Sequence, residues 1–265
     1  MISWVLGAGG VALLVALGAL LVDARKRSRQ GEQLLAAADT KLEDLQRQFE
    51  RFAPADVVER LTDGSGGFTP ERRQVTMLFA DLRGFTALCD QLDPAVTVTI
   101  LNDYFRHMTH AITQHHGLVT EFVGDGLLAL FGALEPNPWQ ARDAVLAALE
   151  MRAELARYNR DLRDKGLPQL RFGVGIHGGE VVAGVIGTAG LSKFSVTGDP
   201  INVASRIEGL ASKFQVDLLI SDDIRAALHD QFRLRAMPPT LVKGKTEPIQ
   251  TWHVEPDAGA GNAVH

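Results

Sequence analysis

Two aspartates occupy positions where a sheet would present carboxylates at one edge. Asp81 follows the apolar run 75–80 and precedes the bend Gly84-Phe85-Thr86. Asp125 is the middle residue of Gly124-Asp125-Gly126, which joins the apolar runs 118–123 and 127–131. Two such runs around a tight glycine-containing turn read as a β-hairpin. If the strand ending at Asp81 lies beside that hairpin, both carboxylates emerge together. With little else to neutralise them, they make a site for hard divalent cations. Two such ions can bridge a phosphate chain, activating an attacking oxygen and stabilising a leaving one. Gly84 removes side-chain bulk where the chain turns into a helix, so backbone N–H groups around Gly84, Phe85 and Thr86 can hold phosphate oxygens. Taken alone, each aspartate is equally a turn residue or a helix cap.

The elements that must hold these groups can be read from periodicity. Residues 75–80 form a buried strand and 94–115 a helix; the hairpin follows, then a long helix over 138–165 closed by Gly166 and Pro168. Residues 170–176 and 181–186 are predicted as a second strand pair turning at His177-Gly178-Gly179. A helix over 200–213 comes next, and short strands with one helix fill the chain to Val254. This order predicts an α+β fold, a mainly antiparallel sheet with helices on one face, nearest to the ferredoxin-like split βαβ arrangement.

Ahead of that domain the pattern differs. Residues 2–22 carry no charge, and a helix needs about 20 apolar residues to cross a bilayer core. Arg25, Lys26, Arg27 and Arg29 follow at once, which predicts a single-pass anchor over 1–23 in the cell inner membrane with the remainder cytoplasmic. Almost no mass is then expected on the far side. Leu35, Ala38, Leu42, Leu45, Phe49 and Phe52 step by threes and fours, the seam of a short parallel coiled coil within 24–61. Residues 62–74 read as a Gly-rich joint, 75–255 as the compact domain and 256–265 as a disordered tail. The net charge of -5 gives no broad basic field, which argues against nucleic acid as a partner. The single cysteine, Cys89, excludes an intramolecular disulfide framework.

Four blocks carry a resemblance. FADLRGFT (79–86), EFVGDGLLALFG (121–132), GVGIHGGEVVAGVIG (173–187) and GDPINVASRIE (198–208) are similar to the successive signatures of the class III adenylate and guanylate cyclases, in family order and spacing. The entry segment RFAPADVVERL (51–61) also resembles the stretch before bacterial catalytic domains of this family. The resemblance implies a nucleotide cyclase that uses two divalent metal ions, Mg²⁺ or Mn²⁺, on a nucleoside triphosphate. It matches Asp81 and Asp125, with Leu82 beside the first, to the metal site. It matches Asn202 and Arg206, four apart on one helical face, to the groups that orient the ribose and steady the charge on the α-phosphate. An arginine fork suits that task. Lys245 matches the lysine that grips the terminal phosphates. In the family the metal carboxylates and the Asn/Arg pair of one site come from opposite subunits, which implies a symmetric homodimer.

Base choice is where the chain departs from the commonest pattern. Adenylate cyclases usually carry Lys at the position of Glu121 and Asp or Thr at that of Ser195. A carboxylate at the first position resembles guanylate cyclases, yet it can also accept the N6 amino protons of adenine. Alternatively, Glu121 pairs with a nearby Lys or Arg. ATP is expected as substrate because it is the commoner bacterial one, with GTP as the alternative. A catalytically silent nucleotide-binding module remains the reading from another class.

Overall fold

A computed structural model describes residues 69–188, 191–229 and 232–256. The expected membrane helix, the coiled coil, most of the joint and the tail after Pro256 lie outside the described residues. No helix among the described residues is long and apolar enough to cross a membrane.

The first strand, β1 (Glu71–Leu82), begins four residues earlier than its apolar run suggested. Its side chains alternate between two buried environments. Leu78, Ala80 and Leu82 point to one face, Val75 and Met77 to the other. A strand buried on both faces belongs in the centre of a sheet, and β1 lies there. It pairs antiparallel with β3 (Gly126–Phe131) on one side and with β4 (Phe172–Thr188) on the other. Together with β2 (Leu118–Val123), β5 (Leu191–Thr197), β6 (Leu218–Ser221), β7 (Leu234–Ala236) and β8 (Thr251–Val254), these make one eight-stranded sheet. Its order is β2-β3-β1-β4-β6-β8-β7, with β5 paired to β4. Every pairing is antiparallel except β4 with β6. The α+β, mainly antiparallel expectation therefore holds.

Five helices accompany the described strands: α1 (Phe85–Cys89), α2 (Pro94–Thr113), α3 (Gln140–Asp164), α4 (Asp199–Lys213) and α5 (Asp222–Ala227). Helix α2 starts sharply because Asp93 accepts from the Ala95 N–H at 2.8 Å and Pro94 is its first residue. Tyr104 and Met108 of α2 join Met151 and Tyr158 of α3 over the Leu78 face of the sheet. Helix α4 contributes Ala204 to the cluster on the opposite face, with Val75, Met77, Leu128 and Leu130. Helices thus cover both faces, not the single face expected.

The glycines of β4 explain how. Gly173, Gly175 and Gly179 alternate onto the side facing α4. A Cβ at Gly175 would lie 2.2 Å from the Glu208 backbone nitrogen, and one at Gly179 would lie 2.6 Å from Pro200. The helix backbone sits directly on the strand because these residues have no side chain. This also corrects the predicted turn at His177-Gly178-Gly179. Those residues run through the middle of β4, opposite Met77, Thr76 and Val75. The strand partner is instead β5, which pairs with Val182–Thr188 and seats Phe194 and Val196 in the second core cluster.

Candidate functional site

Asp81 is next to last in β1, opposite Gly173 of β4. Asp125 sits in the turn between β2 and β3, where Gly124 takes φ 63°. Gly126 lets the two approach: a Cβ there would lie 2.8 Å from Asp81 Oδ1. Burial and the Asp125 charge push the Asp81 carboxyl up, against one stabilising bond from the Leu82 backbone. Leu82 itself is buried, its side chain in the core beside the pair. Two further groups feel both aspartates. Tyr104 is fully buried, its hydroxyl has no partner, and burial followed by Asp81 and Asp125 raises its pKa. Glu208 on α4 is pushed up to about 7, first by burial and then by Asp81, with Arg83 opposing.

This acidic group fits a divalent cation. Among the described residues, no three His, Cys, Asp or Glu side chains form a ready cage. Mg²⁺ and similar ions are commonly held by one or two carboxylates plus substrate phosphates, keeping several waters. The Asp81/Asp125 pair could supply the protein's share of such a site.

A different chemistry collects on the far side of α4. Asn202 and Arg206 share one helical face, and Glu208 points the other way. Asn202 is exposed; Arg206 is half-buried, with Nη1 shielded from water and without a hydrogen-bond partner. Gly244 takes φ 79°, and a Cβ there would meet both Arg206 Nη1 and Nη2 at 3.3 Å. The loop after Val242 is therefore pressed against the guanidinium. Within that loop Lys245 Nζ donates to Asp199 Oδ2 at 2.5 Å, which holds the Asp199 carboxyl below its usual range. Asn202, Arg206 and Lys245 are thus brought together around the first half of α4. Asp81 instead lies opposite Gly173, whose missing Cβ faces Glu208, and Asp125 is the leading charge acting on it. Within one chain the two sets lie on different sides of α4.

The remaining predicted residues fall as follows. Gly84 adopts the left-handed conformation, φ 70°, at the start of α1, with nothing within 4 Å of its missing Cβ. Phe85 is buried under it and Thr86 is exposed. Ser195 lies in β5 opposite Gly184 and is buried. Glu121 stands at a register shift in β2, and its Oε1 accepts from Lys193 Nζ at 2.7 Å. Sequence reasoning missed Tyr104, Glu208, Arg83 and Lys193. Glu208 closes the 198–208 block and Lys193 stands two residues before Ser195, so both lay within quoted stretches or beside them. Tyr104 lay within the helix expected over 94–115, with nothing to single it out.

A family model described as the adenylate and guanylate cyclase catalytic domain matches residues 69–256. An adenylate cyclase of Anabaena cylindrica is 32% identical over 230 residues, 81% of this chain and 44% of that protein. Adenylate cyclase 1 of Rhizobium meliloti (strain 1021) is 28% identical over 208 residues, 78% of this chain and 31% of that protein. The chain thus spans less than half the length of these curated relatives. Among solved structures, the guanylyl cyclase Cya2 is 36% identical with a TM-score of 0.64, covering 70% of this chain and 93% of that one. The adenylyl cyclase CyaB from P. aeruginosa is 26% identical with a TM-score of 0.67, covering 71% and 96%.

Proposed function

Because the chain belongs to the class III adenylate and guanylate cyclases, we propose that it converts ATP into 3′,5′-cyclic AMP and pyrophosphate at a site shared by two copies of itself. One observation carries the proposal. The acidic pair Asp81/Asp125 and the Arg206 guanidinium, whose buried Nη1 has no hydrogen-bond partner, lie in separate surroundings of one chain. Each half lacks the charge the other would bring with a metal-bound triphosphate.

Asp81, Asp125 and the main chain at Leu82 would hold two divalent ions, Mg²⁺ or Mn²⁺. Such ions, when bound, ease ionisation of the 3′-hydroxyl and departure of pyrophosphate. Arg206 of the second copy donates to the α-phosphate oxygens as the 3′-oxygen bonds to phosphorus and the bond to pyrophosphate breaks. Asn202 orients the ribose. Lys245 turns from Asp199 to the terminal phosphates, with the Gly84-Phe85-Thr86 bend supplying N–H groups to the same chain of phosphates. Glu121 and Ser195 read the base. Residues 1–23 tether the enzyme to the inner membrane with its catalytic domain in the cytoplasm, a reading supported by the charge-free stretch and the basic cluster after it.

Purified chain given ATP with Mn²⁺ or Mg²⁺ is expected to release cyclic AMP and pyrophosphate, and Asp81→Ala to release none. Equal product from both would overturn the assignment. GTP is the second reading, favoured by the carboxylate at Glu121 and by the likeness to the guanylyl cyclase Cya2. ATP and GTP offered in competition separate the two.

A further inference from the structure

We propose that Asp199 is a positioning residue for the phosphate end of the site: it holds the Lys245 ammonium against α4 and competes with phosphate oxygens for it, so that it sets how readily pyrophosphate leaves. The inference rests on the cyclase reading above and deepens it.

Asp199 is the first residue of α4, and Asn202 and Arg206 follow three and seven positions later, so all three share one helical face. A single loop lies along that face. Its base is closed by the backbones of Thr240 and Ile249, which exchange hydrogen bonds of 3.1 and 2.9 Å. Toward its tip, Gly244 is pressed against the Arg206 guanidinium, and the next residue, Lys245, donates from Nζ to Asp199 Oδ2 at 2.5 Å. The loop thus reaches from the arginine to the carboxylate, with Asn202 between them.

The Asp199 carboxyl rests among cations. Lys245 first, then Arg206 and His177, hold it below its ordinary range. Lys245 and Arg206 are the groups assigned above to the terminal and α-phosphates, so an anion of the protein already sits where an anionic ligand is to be gripped. The pair is poorly suited to a structural role. The Lys245 and Asp199 side chains are 36% and 59% exposed, and exposed ion pairs contribute little to stability. It is well suited to exchange. The ammonium is a compact charge on a flexible stem with three rotatable donors, free to swing from one oxygen to another. A phosphate chain carries more charge than one carboxylate and draws Lys245 away. Once the bond to pyrophosphate has broken, Asp199 competes to take the ammonium back. The carboxylate therefore weakens the hold on the terminal phosphates and on the pyrophosphate they become.

The test titrates full-length protein with pyrophosphate in a calorimeter, with Mg²⁺ present, beside kinetics on the nucleotide turned over. Asp199→Asn keeps the shape and removes the charge. It is expected to bind pyrophosphate about two- to fivefold more tightly than wild type, the worth of an exposed ion pair. KM should fall by a like factor with no rise in kcat. In a Lys245→Met background the same substitution is expected to change pyrophosphate binding by less than about 1.5-fold, because the carboxylate acts through the ammonium. Unchanged or weaker binding by Asp199→Asn, including no binding by either protein, would overturn the role of Asp199; weaker binding with a lower melting temperature would mark the pair as a structural anchor. A full gain that persists without Lys245 would overturn it too, marking Asp199 as a repulsive charge and no more. These results leave the cyclase reading intact so long as wild type makes cyclic nucleotide. Wild type making none from any triphosphate would overturn that reading, and this inference with it.

Discussion

Adding a single methyl group at Gly175 is expected to damage both stability and turnover, by an amount the structure sets. The new Cβ would lie 2.2 Å from the Glu208 nitrogen, 2.7 Å from its Cα and 2.8 Å from the Ala204 carbonyl oxygen. All three atoms are backbone of α4, so no side chain can swing aside. Restoring an ordinary contact of about 3.4 Å moves the helix by roughly 1.2 Å. Overpacking of this kind costs about 1–3 kcal/mol. For a domain of this size each kcal/mol lowers the melting temperature by about 2–4 °C. A fall of roughly 2–12 °C should appear in a thermal melt of Gly175→Ala. The same helix carries Asn202 and Arg206, and a misplacement near 1 Å can cost about a hundredfold in rate. Cyclase assays should place that loss in kcat more than in KM, because Arg206 is assigned to the transition state. Gly209→Ala is the control: it lies on the same helix with nothing within 4 Å of its missing Cβ, and should melt no lower than wild type. If Gly175→Ala melts and turns over like wild type, α4 does not rest on β4 by this contact and the reasoning fails.

Other outcomes follow from the same geometry. Asp81→Ala and Arg206→Ala should each be inactive alone. When co-refolded in equal amounts they should recover about a quarter of wild-type activity, since half the dimers are mixed and each mixed dimer has one intact site; no recovery would place the whole site in a single chain. Glu208, pushed up to about 7 from its ordinary 4.5, binds a proton more tightly in the fold than unfolded. Its contribution is full below the unfolded value and is lost as pH rises through the folded one. Metal-free wild type should therefore lose stability relative to Glu208→Gln between about pH 4.5 and 7, read from denaturant midpoints; a constant difference across that window would refute the raised Glu208 carboxyl.

The carboxylate pair was legible from sequence because its causes are local. An apolar run ending in Asp81 and a glycine turn around Asp125 need only strand pairing to meet, and β1 and β3 are neighbours. The acidic companions were not legible. Glu208 and Tyr104 reach the same spot from helices on opposite faces of the sheet, and no periodicity in either helix names that meeting point. The misread turn at His177-Gly178-Gly179 has a related cause. Glycine usually punctuates a chain, but here its missing side chain admits a helix. The unpredicted strand β5 did carry a signal, with Phe194 and Val196 alternating against Lys193 and Ser195. Two-sided cover was also foreshadowed in β1, whose nearly unbroken apolar run from Val75 leaves no polar face.

Buried polar groups in folded chains are ordinarily paired, and exceptions call for a cause. Two of the exceptions among the described residues, the Tyr104 hydroxyl and Arg206 Nη1, bear on the candidate site. On one side of α4 is the Asp81 carboxyl, made costlier to ionise by burial and by the Asp125 charge. On the other is a guanidinium nitrogen shielded from water and unpaired. Neither set can relieve the other within one chain, because Glu208 and Arg206 leave the helix in opposite directions. A triphosphate with its cations has the complementary layout, positive where it would meet the carboxylates and negative where it would meet the arginine. In the proposed dimer one such ligand would answer both deficits at once. A ligand bound by both subunits would then favour substrate-bound pairs over free subunits.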